Sequence, residues 1–400
     1  MKHLPYILIL FFSTACSLPE QPPSDKKDEI AAAQDTSWQA ELTKFIVVQQ
    51  DSSLIPGYAT AIFSKDSTLY ETGIGYANLE QEIPYSTLKV QMIASISKSI
   101  VGMALMKAQE MGKLNLDDPI GQHLPFPFKH PQGVVTLRQL ASHTGSISDP
   151  ESYSQAYVFQ QALDPSVFPD EWHDLLNGYQ NNHLEPLDEF LASLFDEKSS
   201  RYEPSIYASS EPGTEYDYSN IGANLLALAV ETAVEQPFDS FTEEQIFSPL
   251  GMKNTGWHLK DVADLEHCTY YLENLKPIPQ YELSTYPDGG LFTSVHDLIK
   301  FLQEVMKGSI GEGSLLTAES YQEMISIQGH EEDASDGVLW DLEHECCFGH
   351  SGNDFGTATL MYVEKETGIG RILFTNVSLE KEEQEEAFYT VWNGLFGYPG

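Results

Sequence analysis

The hydrophobic pattern predicts two helices that each follow a short polar motif. In residues 96–111, apolar side chains recur three and four positions apart, which predicts a helix that ends at Gly112. This helix begins at the tetrapeptide SISK (residues 95–98). A second helical pattern, at residues 221–234, follows the tripeptide YSN (residues 218–220). Both motifs contain residue types that can carry chemistry.

An alternating pattern near the C-terminus predicts strands. In residues 358–377, apolar and polar side chains alternate in two runs, which are separated by the turn-forming segment 364–368. These runs predict two antiparallel strands. Further strands are expected near residues 58–77, and the chain is expected to close with a helix that ends at Phe396.

The composition excludes nucleic acid as a partner. The 400 residues include 60 acidic and 21 basic side chains, a formal net charge of −39, whereas phosphate contacts require lysine and arginine. We interpret the charge as a solvated acidic shell. The apolar content of 41% is sufficient for a large core. No internal apolar run has the length of a membrane span.

The N-terminus predicts export and a lipid anchor. An apolar run at residues 6–12 follows a lysine and precedes small residues, as in a signal peptide, here residues 1–15. The tetrapeptide STAC, which ends at Cys16, resembles the lipobox of bacterial lipoproteins, although Ser13 stands where leucine is usual. We expect lipidation of Cys16 and a flexible acidic, proline-rich tether over residues 16–37. The expected location is the periplasm or the cell surface, bound to the membrane by this anchor; a cleaved soluble export signal is the alternative.

Ser95 and Lys98 form the first candidate for catalysis. Three positions apart on one helical turn, they share a face. A lysine in a dry pocket can lose its proton near neutral pH and take one from the serine. The N–H groups of a helix N-terminus also favour a developing oxyanion. The alternative is that SISK is only the polar first turn of a buried helix.

Tyr218 and Asn220 could complete such a site. The ammonium charge of a nearby lysine stabilises a phenolate, so Tyr218 is a candidate general base toward Ser95 and general acid toward the leaving group. Asn220 has the donors and the acceptor to hold both Lys98 and a substrate amide. The alternative is that Tyr218 only packs in front of a buried helix.

The tripeptide His350-Ser351-Gly352, flanked by Gly349 and Asn353, precedes the predicted C-terminal strands. On an inner edge strand it would let a substrate backbone lie against it as an added strand. The backbone N–H of Asn353 is then a second oxyanion donor beside that of Ser95.

In this order and at these separations, the motifs SISK, YSN and HSG resemble those of the serine β-lactamase and D-alanyl-D-alanine peptidase superfamily, in particular its class C β-lactamase-like branch. The flanking stretches TLRQLASHTGSISD, EPGTEYDYSN, PLGMKNTGW and PDGGLFTSVHDLIKFL are also similar. The likeness runs from about Ile55 to Val377. It implies an α/β (α+β) fold of the β-lactamase/transpeptidase type, an antiparallel sheet flanked by helices plus a mostly helical region.

The resemblance suggests how the hydrolase domain, residues 38–400, is organised. An α/β region would comprise about 38–115 and 286–400, and a helical region about 116–285. His143 is expected to be hydrogen-bonded scaffolding beside the cleft. The aromatic residues 150–200 could be a lid or substrate wall, and we favour helices that cap the core.

The resemblance also implies residue roles. Ser95 would be the acylated nucleophile, Lys98 its activating partner, and Tyr218 the general base and acid. Asn220 would orient both substrate and Lys98, and the N–H groups of Ser95 and Asn353 would form the oxyanion hole. The substrate groove would be lined by Asn220, His350, Ser351, Gly352 and Asn353. No metal or organic cofactor is implied.

One departure from the family pattern concerns the substrate. Many members carry lysine-threonine-glycine in the third motif, and that lysine pairs with a substrate carboxylate; here His350 replaces it. Histidine is only partly charged at neutral pH, so carboxylate capture should be weaker. We therefore expect an acyl-enzyme hydrolase that acts on a small molecule or peptide, foremost a D-amino-acid peptidase of the cell-wall type or an esterase. A true β-lactamase and a non-catalytic module that binds penicillin or cell-wall peptides are the alternatives.

Two further clusters are open to other interpretations. His344, Cys346, Cys347 and His350 lie within seven residues and could bind zinc. Adjacent cysteines cannot easily point at one ion, so a buried thiol or a disulfide with Cys268 is preferred. The dipeptide Gly289-Gly290 predicts a tight turn near the cleft rather than a phosphate loop.

Overall fold

An antiparallel sheet of six strands is the centre of the structure, which is a computed structural model. The described residues are 37–168, 178–329, 336–342 and 346–398. The predicted signal peptide, Cys16 and nearly all of the tether lie outside them, as does His344. From Trp38 onward the chain forms one compact unit.

The sheet draws its strands from both ends of the described chain. The strands are β1 (Gly57–Ser64), β2 (Thr68–Asn78), β3 (Ile83–Pro84), β4 (Gln91–Met92), β5 (Tyr157–Phe159), β6 (Tyr270–Tyr271), β7 (Pro277–Ile278), β8 (Tyr281–Leu283), β9 (Phe292–Thr293), β10 (Cys347–Asp354), β11 (Thr357–Glu364) and β12 (Ile369–Thr375). The spatial order of the large sheet is β10-β11-β12-β1-β2-β3. Strand β10 therefore lies at an edge of the sheet. The remaining strands form the pairs β4-β9, β5-β8 and β6-β7.

Helices surround the sheet and fill the middle of the chain. They are α1 (Ser37–Ser52), α2 (Ser97–Glu110), α3 (Leu137–Ala141), α4 (Leu187–Phe195), α5 (Asn220–Val234), α6 (Phe238–Thr242), α7 (Ser248–Leu250), α8 (Tyr286–Gly289), α9 (Val295–Ser309), α10 (Ala318–Met324) and α11 (Glu382–Phe396). None of the helices in the described ranges is long and apolar enough to cross a membrane.

Both faces of the sheet are buried by helices. On one face, α1 and α11 share a hydrophobic cluster with Ile62 and Leu373. On the other face, α2, α5 and α9 share a larger cluster with Phe63 and Phe374. Successive side chains of a strand point to opposite faces, so one strand contributes to both clusters. Strand β12 is accordingly buried over its whole length.

The elements form where the hydrophobic pattern predicted them, and the α/β fold class is confirmed. Helix α2 ends just before Gly112, which has a φ of +66° and can adopt the left-handed turn that follows a helix. Strands β11 and β12 pair antiparallel, with Glu364 opposite Ile369 at the predicted turn. Helix α5 begins at Asn220 because the Ser219 hydroxyl accepts a hydrogen bond from Gly222 N–H as an N-cap.

Candidate active site

Ser95 lies in a tight turn between strand β4 and helix α2. The turn is a 3₁₀ helix over Ala94–Ile96, and α2 begins at Ser97. Ala94 has a φ of +49°, a left-handed conformation that costs roughly 1 kcal/mol for a residue with a side chain. Ala94 and Ile96 are buried, whereas Ser95 is partly exposed. The strained turn thus presents the Ser95 hydroxyl to the cleft.

Lys98 is fully buried, and its Nζ donates to three oxygens. One is Ser95 Oγ at 3.1 Å, the second is Asn220 Oδ1 at 2.7 Å, and the third is the backbone oxygen of Asp288 at 2.7 Å. The first contact is short enough for a proton to pass between serine and lysine. The other two fix the position of the amine relative to Ser95.

Tyr218 lies over Lys98 at the mouth of the site. The centroid of its ring is 5.0 Å from Lys98 Nζ, within the range of a cation–π interaction. Its other neighbour is the ring of His143, whose centroid is 4.4 Å away. Tyr218 is 38% exposed, so its hydroxyl can be reached by substrate and water.

Asp149 holds Asn220 in one orientation, a role that the sequence interpretation missed. Its carboxylate accepts hydrogen bonds from Asn220 Nδ2 at 2.8 Å, from the backbone N–H groups of Asn220 and Ile221 and from the Ser219 hydroxyl. Because Nδ2 is bound by Asp149, the amide must direct Oδ1 toward Lys98. Burial raises the pKa of Asp149, and these hydrogen bonds and Lys98 oppose the rise. The available signal was the stretch TLRQLASHTGSISD, which ends at this residue.

His143 supports the site from behind. Its Nδ1 accepts the backbone N–H of Ser219 at 3.1 Å, and the ring is buried under Tyr218. Burial, Lys98 and His350 all hold its pKa well below the usual value, so the imidazole is neutral. The structure therefore places His143 as hydrogen-bonded scaffolding, with no contact to Ser95.

The third motif lies on edge strand β10, directly against the Ser95 turn. A Cβ added to Gly352 would be 2.3 Å from the Ile93 backbone oxygen and 3.1 Å from Ser95 N, so only glycine fits there. The backbone N–H and C=O of Gly349 bond Asp341, on the side away from β11. In an antiparallel strand, the backbone N–H and C=O groups of every second residue point to the same side. Asn353 is four residues after Gly349, so its N–H is also directed away from β11. It is thus placed to act with Ser95 N–H on an oxyanion.

His350 carries no charge at neutral pH. The ring is buried on the face of β10 that bears Gly352, and its Nδ1 donates to the backbone oxygen of Ser351 at 2.6 Å. Burial and the nearby Lys98 lower the pKa of His350 to about 4. The sequence suggested a partly charged imidazole; the buried environment makes it neutral. His350 therefore supplies no positive charge that could pair with a substrate carboxylate.

Asp288 is a second carboxyl that the sequence interpretation did not include. It precedes Gly289-Gly290, at the end of the helical turn α8, and its backbone oxygen accepts from Lys98. Its side chain accepts from the Tyr153 hydroxyl at 2.7 Å and from Asn224 Nδ2 at 2.6 Å. Burial raises the pKa of Asp288 to about 7.

Two tyrosines of the aromatic segment 150–200 bind carboxyl groups of Asp288 and Asp354. Tyr153 lies in a 3₁₀ helix and Tyr157 in strand β5, and their rings meet edge to face at 6.3 Å. The Tyr153 hydroxyl donates to Asp288, and the Tyr157 hydroxyl donates to Asp354 at 3.2 Å. Helix α4, in the same segment, buries four side chains in the core, as the interpretation favoured from sequence expected: Leu187, Phe190, Leu191 and Leu194.

The remaining candidates do not assemble into a site. Cys268, Cys346 and Cys347 are free thiols, so the disulfide is not formed. Across the described ranges, no group of three or more ligating side chains could hold a metal ion, and His344 lies outside those ranges.

We predict that Asp149→Ala slows acylation of Ser95 by about 100-fold, because the freed Asn220 amide no longer fixes the Lys98 amine. The measurement is the rate of Ser95 labelling by a fluorophosphonate probe, with circular dichroism as the check on folding. Asp196→Ala, at an exposed site outside the cleft, is the matched control. An unchanged labelling rate in a folded Asp149→Ala protein would refute this role.

A second prediction concerns pH. In the folded chain the pKa of His350 is about 4, below the usual 6.5, so the unfolded chain binds this proton more readily between those values. The stabilising contribution of neutral His350 is therefore complete above pH 6.5 and is lost as the pH falls toward 4. Relative to the His350→Gln variant, wild type should lose on the order of 1–2 kcal/mol of unfolding free energy between pH 7 and pH 5. Urea denaturation measures the difference, and parallel pH profiles for the two proteins would contradict the assignment.

Comparison with known proteins gives the family and the fold. A sequence model described as "Beta-lactamase" matches residues 42–395. Protein flp of Staphylococcus aureus (strain N315) is 22% identical over 350 residues, which cover 86% of this chain and 64% of that protein. The human mitochondrial serine beta-lactamase-like protein LACTB is 28% identical over 294 residues, 63% of this chain and 54% of that protein. The chain thus spans less than two thirds of the length of these relatives.

Solved structures share the fold at low identity. The octameric penicillin-binding protein homologue from Pyrococcus abyssi matches with a TM-score of 0.71 and 23% identity, over 90% of this chain and 77% of that one. D-alanine carboxypeptidase AmpC from Burkholderia cenocepacia matches with a TM-score of 0.63 and 20% identity, over 88% and 99%. Because the family match spans most of the sequence and the fold agrees, this chain belongs to the Beta-lactamase family of serine hydrolases.

Proposed function

We propose that this hydrolase cleaves the amide or ester bond of a small molecule or peptide through an acyl-enzyme on Ser95, foremost as a D-amino-acid peptidase of the cell-wall type or as an esterase. The observation that carries the proposal is the placement of buried Lys98 between Ser95 Oγ, Asn220 Oδ1 and the Asp288 backbone oxygen. A buried amine that is held against a serine hydroxyl is suited to accept its proton.

Acylation starts with attack of Ser95 Oγ on the acyl carbon. The hydroxyl proton passes to Lys98, and the negative charge on the acyl oxygen is stabilised by the N–H groups of Ser95 and Asn353. The bond to the leaving amine or alcohol then breaks, and Tyr218, which lies over Lys98, relays the proton to the leaving group. The acyl group remains bound to Ser95 as an ester.

Deacylation uses the same groups in reverse. A water molecule attacks the ester carbon, and Tyr218 with Lys98 takes one of its protons. The bond to Ser95 Oγ breaks, and the oxygen regains the proton. The products are a carboxylic acid and free enzyme.

The neutral state of His350 favours an ester or amide without a nearby carboxylate over a β-lactam. A β-lactam carries a carboxylate, and here no charged third-motif side chain would pair with it. A β-lactamase stays as the second candidate because the matching family bears that name. A non-catalytic binding module is disfavoured, since the contact between Ser95 and Lys98 that activation requires is present.

We predict that Ser95→Ala abolishes hydrolysis of chromogenic esters and D-alanyl peptides, a loss of at least about 1,000-fold, with the fold intact. Mass spectrometry of wild type after incubation with esters, D-amino-acid peptides and penicillins should show acyl adducts on Ser95. Rapid turnover of a chromogenic cephalosporin would instead support a β-lactamase. Equal turnover by wild type and Ser95→Ala would refute the acyl-enzyme mechanism.

We also propose that the protein is exported and attached to a bacterial membrane by a lipid on Cys16. Support comes from the sequence, where an apolar run ends in the lipobox-like STAC. The acidic tether that follows would hold the domain away from the membrane surface.

The matching prediction is that Cys16→Ser moves most of the protein from the membrane fraction to the soluble fraction of a bacterial host, because the acyl chains supply the membrane affinity. Incorporation of labelled palmitate measures the modification directly. Equal labelling of wild type and Cys16→Ser would contradict the assignment.

A further inference from the structure

Asp288 is a buried carboxyl that is joined to Lys98 through its own backbone. Its backbone oxygen accepts a hydrogen bond from Lys98 Nζ at 2.7 Å, and the residue is 1% exposed. Acyl transfer as proposed for Ser95 involves that backbone oxygen alone. The carboxyl group needs an explanation of its own, because a buried charge destabilises a protein unless donors or an opposite charge hold it.

Two donors bind one oxygen of the Asp288 carboxyl. The Tyr153 hydroxyl donates to Oδ2 at 2.7 Å, and Asn224 Nδ2 donates to the same oxygen at 2.6 Å. The orientation of the Asn224 amide is fixed, since Nδ2 also donates to the backbone oxygen of Asn220 at 2.9 Å. A carboxyl oxygen that receives two donors is stabilised in its charged form.

The far end of the Asn224 amide provides an independent observation. Asn224 is fully buried, and its Oδ1 has no hydrogen-bond partner among the residues that the structure describes. Buried acceptors without donors are rare in folded proteins, because they destabilise the fold. The amide nevertheless keeps the orientation in which its N–H groups serve Asp288 and the start of helix α5. This part of the core is therefore arranged around a negative charge on Asp288.

The charges of Asp288 and Lys98 stabilise each other. Burial raises the pKa of Asp288 to about 7, and Lys98 opposes this rise. Because a Coulomb interaction is mutual, a carboxylate at Asp288 also stabilises an ammonium at Lys98. Lys98 Nζ contacts the backbone oxygen of Asp288, so the carboxylate acts through its charge rather than through a direct hydrogen bond.

We propose that Asp288 is a positioning residue whose carboxylate stabilises the ammonium that Lys98 becomes when it takes the proton of Ser95. In that step the O–H bond of Ser95 breaks, Oγ bonds to the acyl carbon, and an electron pair of the C=O bond moves to the acyl oxygen. Nζ gains the proton and a positive charge. A fixed negative charge nearby lowers the energy of this state, as an aspartate does for the imidazolium of a serine protease triad. The inference rests on the proposed function, since it concerns acylation of Ser95.

The ionisation of Asp288 can be separated from the other titrations of the site. Among the described residues, the ionisable groups that face Asp288 are Lys98 in α2, Tyr153 in a 3₁₀ helix, Tyr157 in β5 and Asp149. Burial raises the pKa of both tyrosines well above the usual value, so they stay protonated at neutral pH. The groups that face Lys98 from other sides are the same in wild type and in a variant of Asp288, so they cancel in a ratio of the two rates: Tyr218, His143, His350, Asp149 and Asp354.

The test compares wild type with Asp288→Asn, which removes the charge and keeps an acceptor oxygen for both donors. Ser95 is labelled with a fluorophosphonate, a reaction that bonds Oγ to phosphorus and releases fluoride. Wild type should label roughly 10-fold faster than the variant at pH 8.5, where Asp288 is ionised, and at an equal rate at pH 5.5, where it is protonated. Asp51→Asn, which removes the same charge at an exposed site on α1, should label like wild type at both pH values.

Tyr153→Phe is a second variant, which keeps the carboxyl. Loss of the Tyr153 hydroxyl removes a donor that lowers the pKa of Asp288, so the labelling rate should rise at a pH about half a unit higher than in wild type. Two results would overturn the inference: a ratio of wild type to Asp288→Asn that is the same at both pH values, or a Tyr153→Phe profile with the wild-type midpoint. Either result would leave Asp288 with a structural role only.

The same labelling distinguishes failure of this inference from failure of the proposed function. If wild type is labelled and Ser95→Ala is not, Ser95 is the nucleophile whether or not the rate depends on the charge of Asp288. If Ser95 of wild type resists the probe at both pH values, the proposed function and this inference fall together.

Discussion

The burial of one amine, Lys98 Nζ, determines how the parts of this domain meet. An amine taken out of water costs several kcal/mol unless its hydrogen bonds are replaced. The replacements come from three separate places: the Ser95 turn, the start of helix α5 and the helical turn α8. An acceptor from each of these places must bind the same nitrogen for the surrounding core to be stable. The hydrogen bonds that stabilise the buried amine therefore also bring the groups of the site together.

The same burial sets the charges of the cleft. His143 and His350 are neutral because they are buried and because Lys98 is close, so neither can hold an anion. Asp149 is satisfied by donors from the start of α5, and its charge is used to orient Asn220. Asp288 and Asp354 receive hydrogen bonds from tyrosines and no cation within the described residues. The cleft is consequently neutral beside His350.

The sequence predicted those parts of the site that depend on local spacing. Ser95 and Lys98 lie one turn apart, Tyr218 and Asn220 precede a helix, and β11 and β12 follow an alternating pattern, so each could be found along the chain. The carboxyls could not, because the roles of Asp149 and Asp288 depend on which distant donors fold against them. The weak charge expected of His350 agrees with its lowered pKa, but the extent of the lowering could not be predicted for a related reason. A pKa depends on burial, and the sequence pattern does not show how deeply the imidazole of His350 is buried.

Gly352 allows edge strand β10 to contact the Ser95 turn directly. The oxyanion hole needs an edge strand in backbone contact with the Ser95 turn, and the space left there excludes a Cβ. The alternation of the strand places the side chain of His350 on the same face of β10 as Gly352. The residue at position 350 therefore sets the charge beside the motif, and here burial makes that residue neutral, while the backbone contact at Gly352 is independent of it.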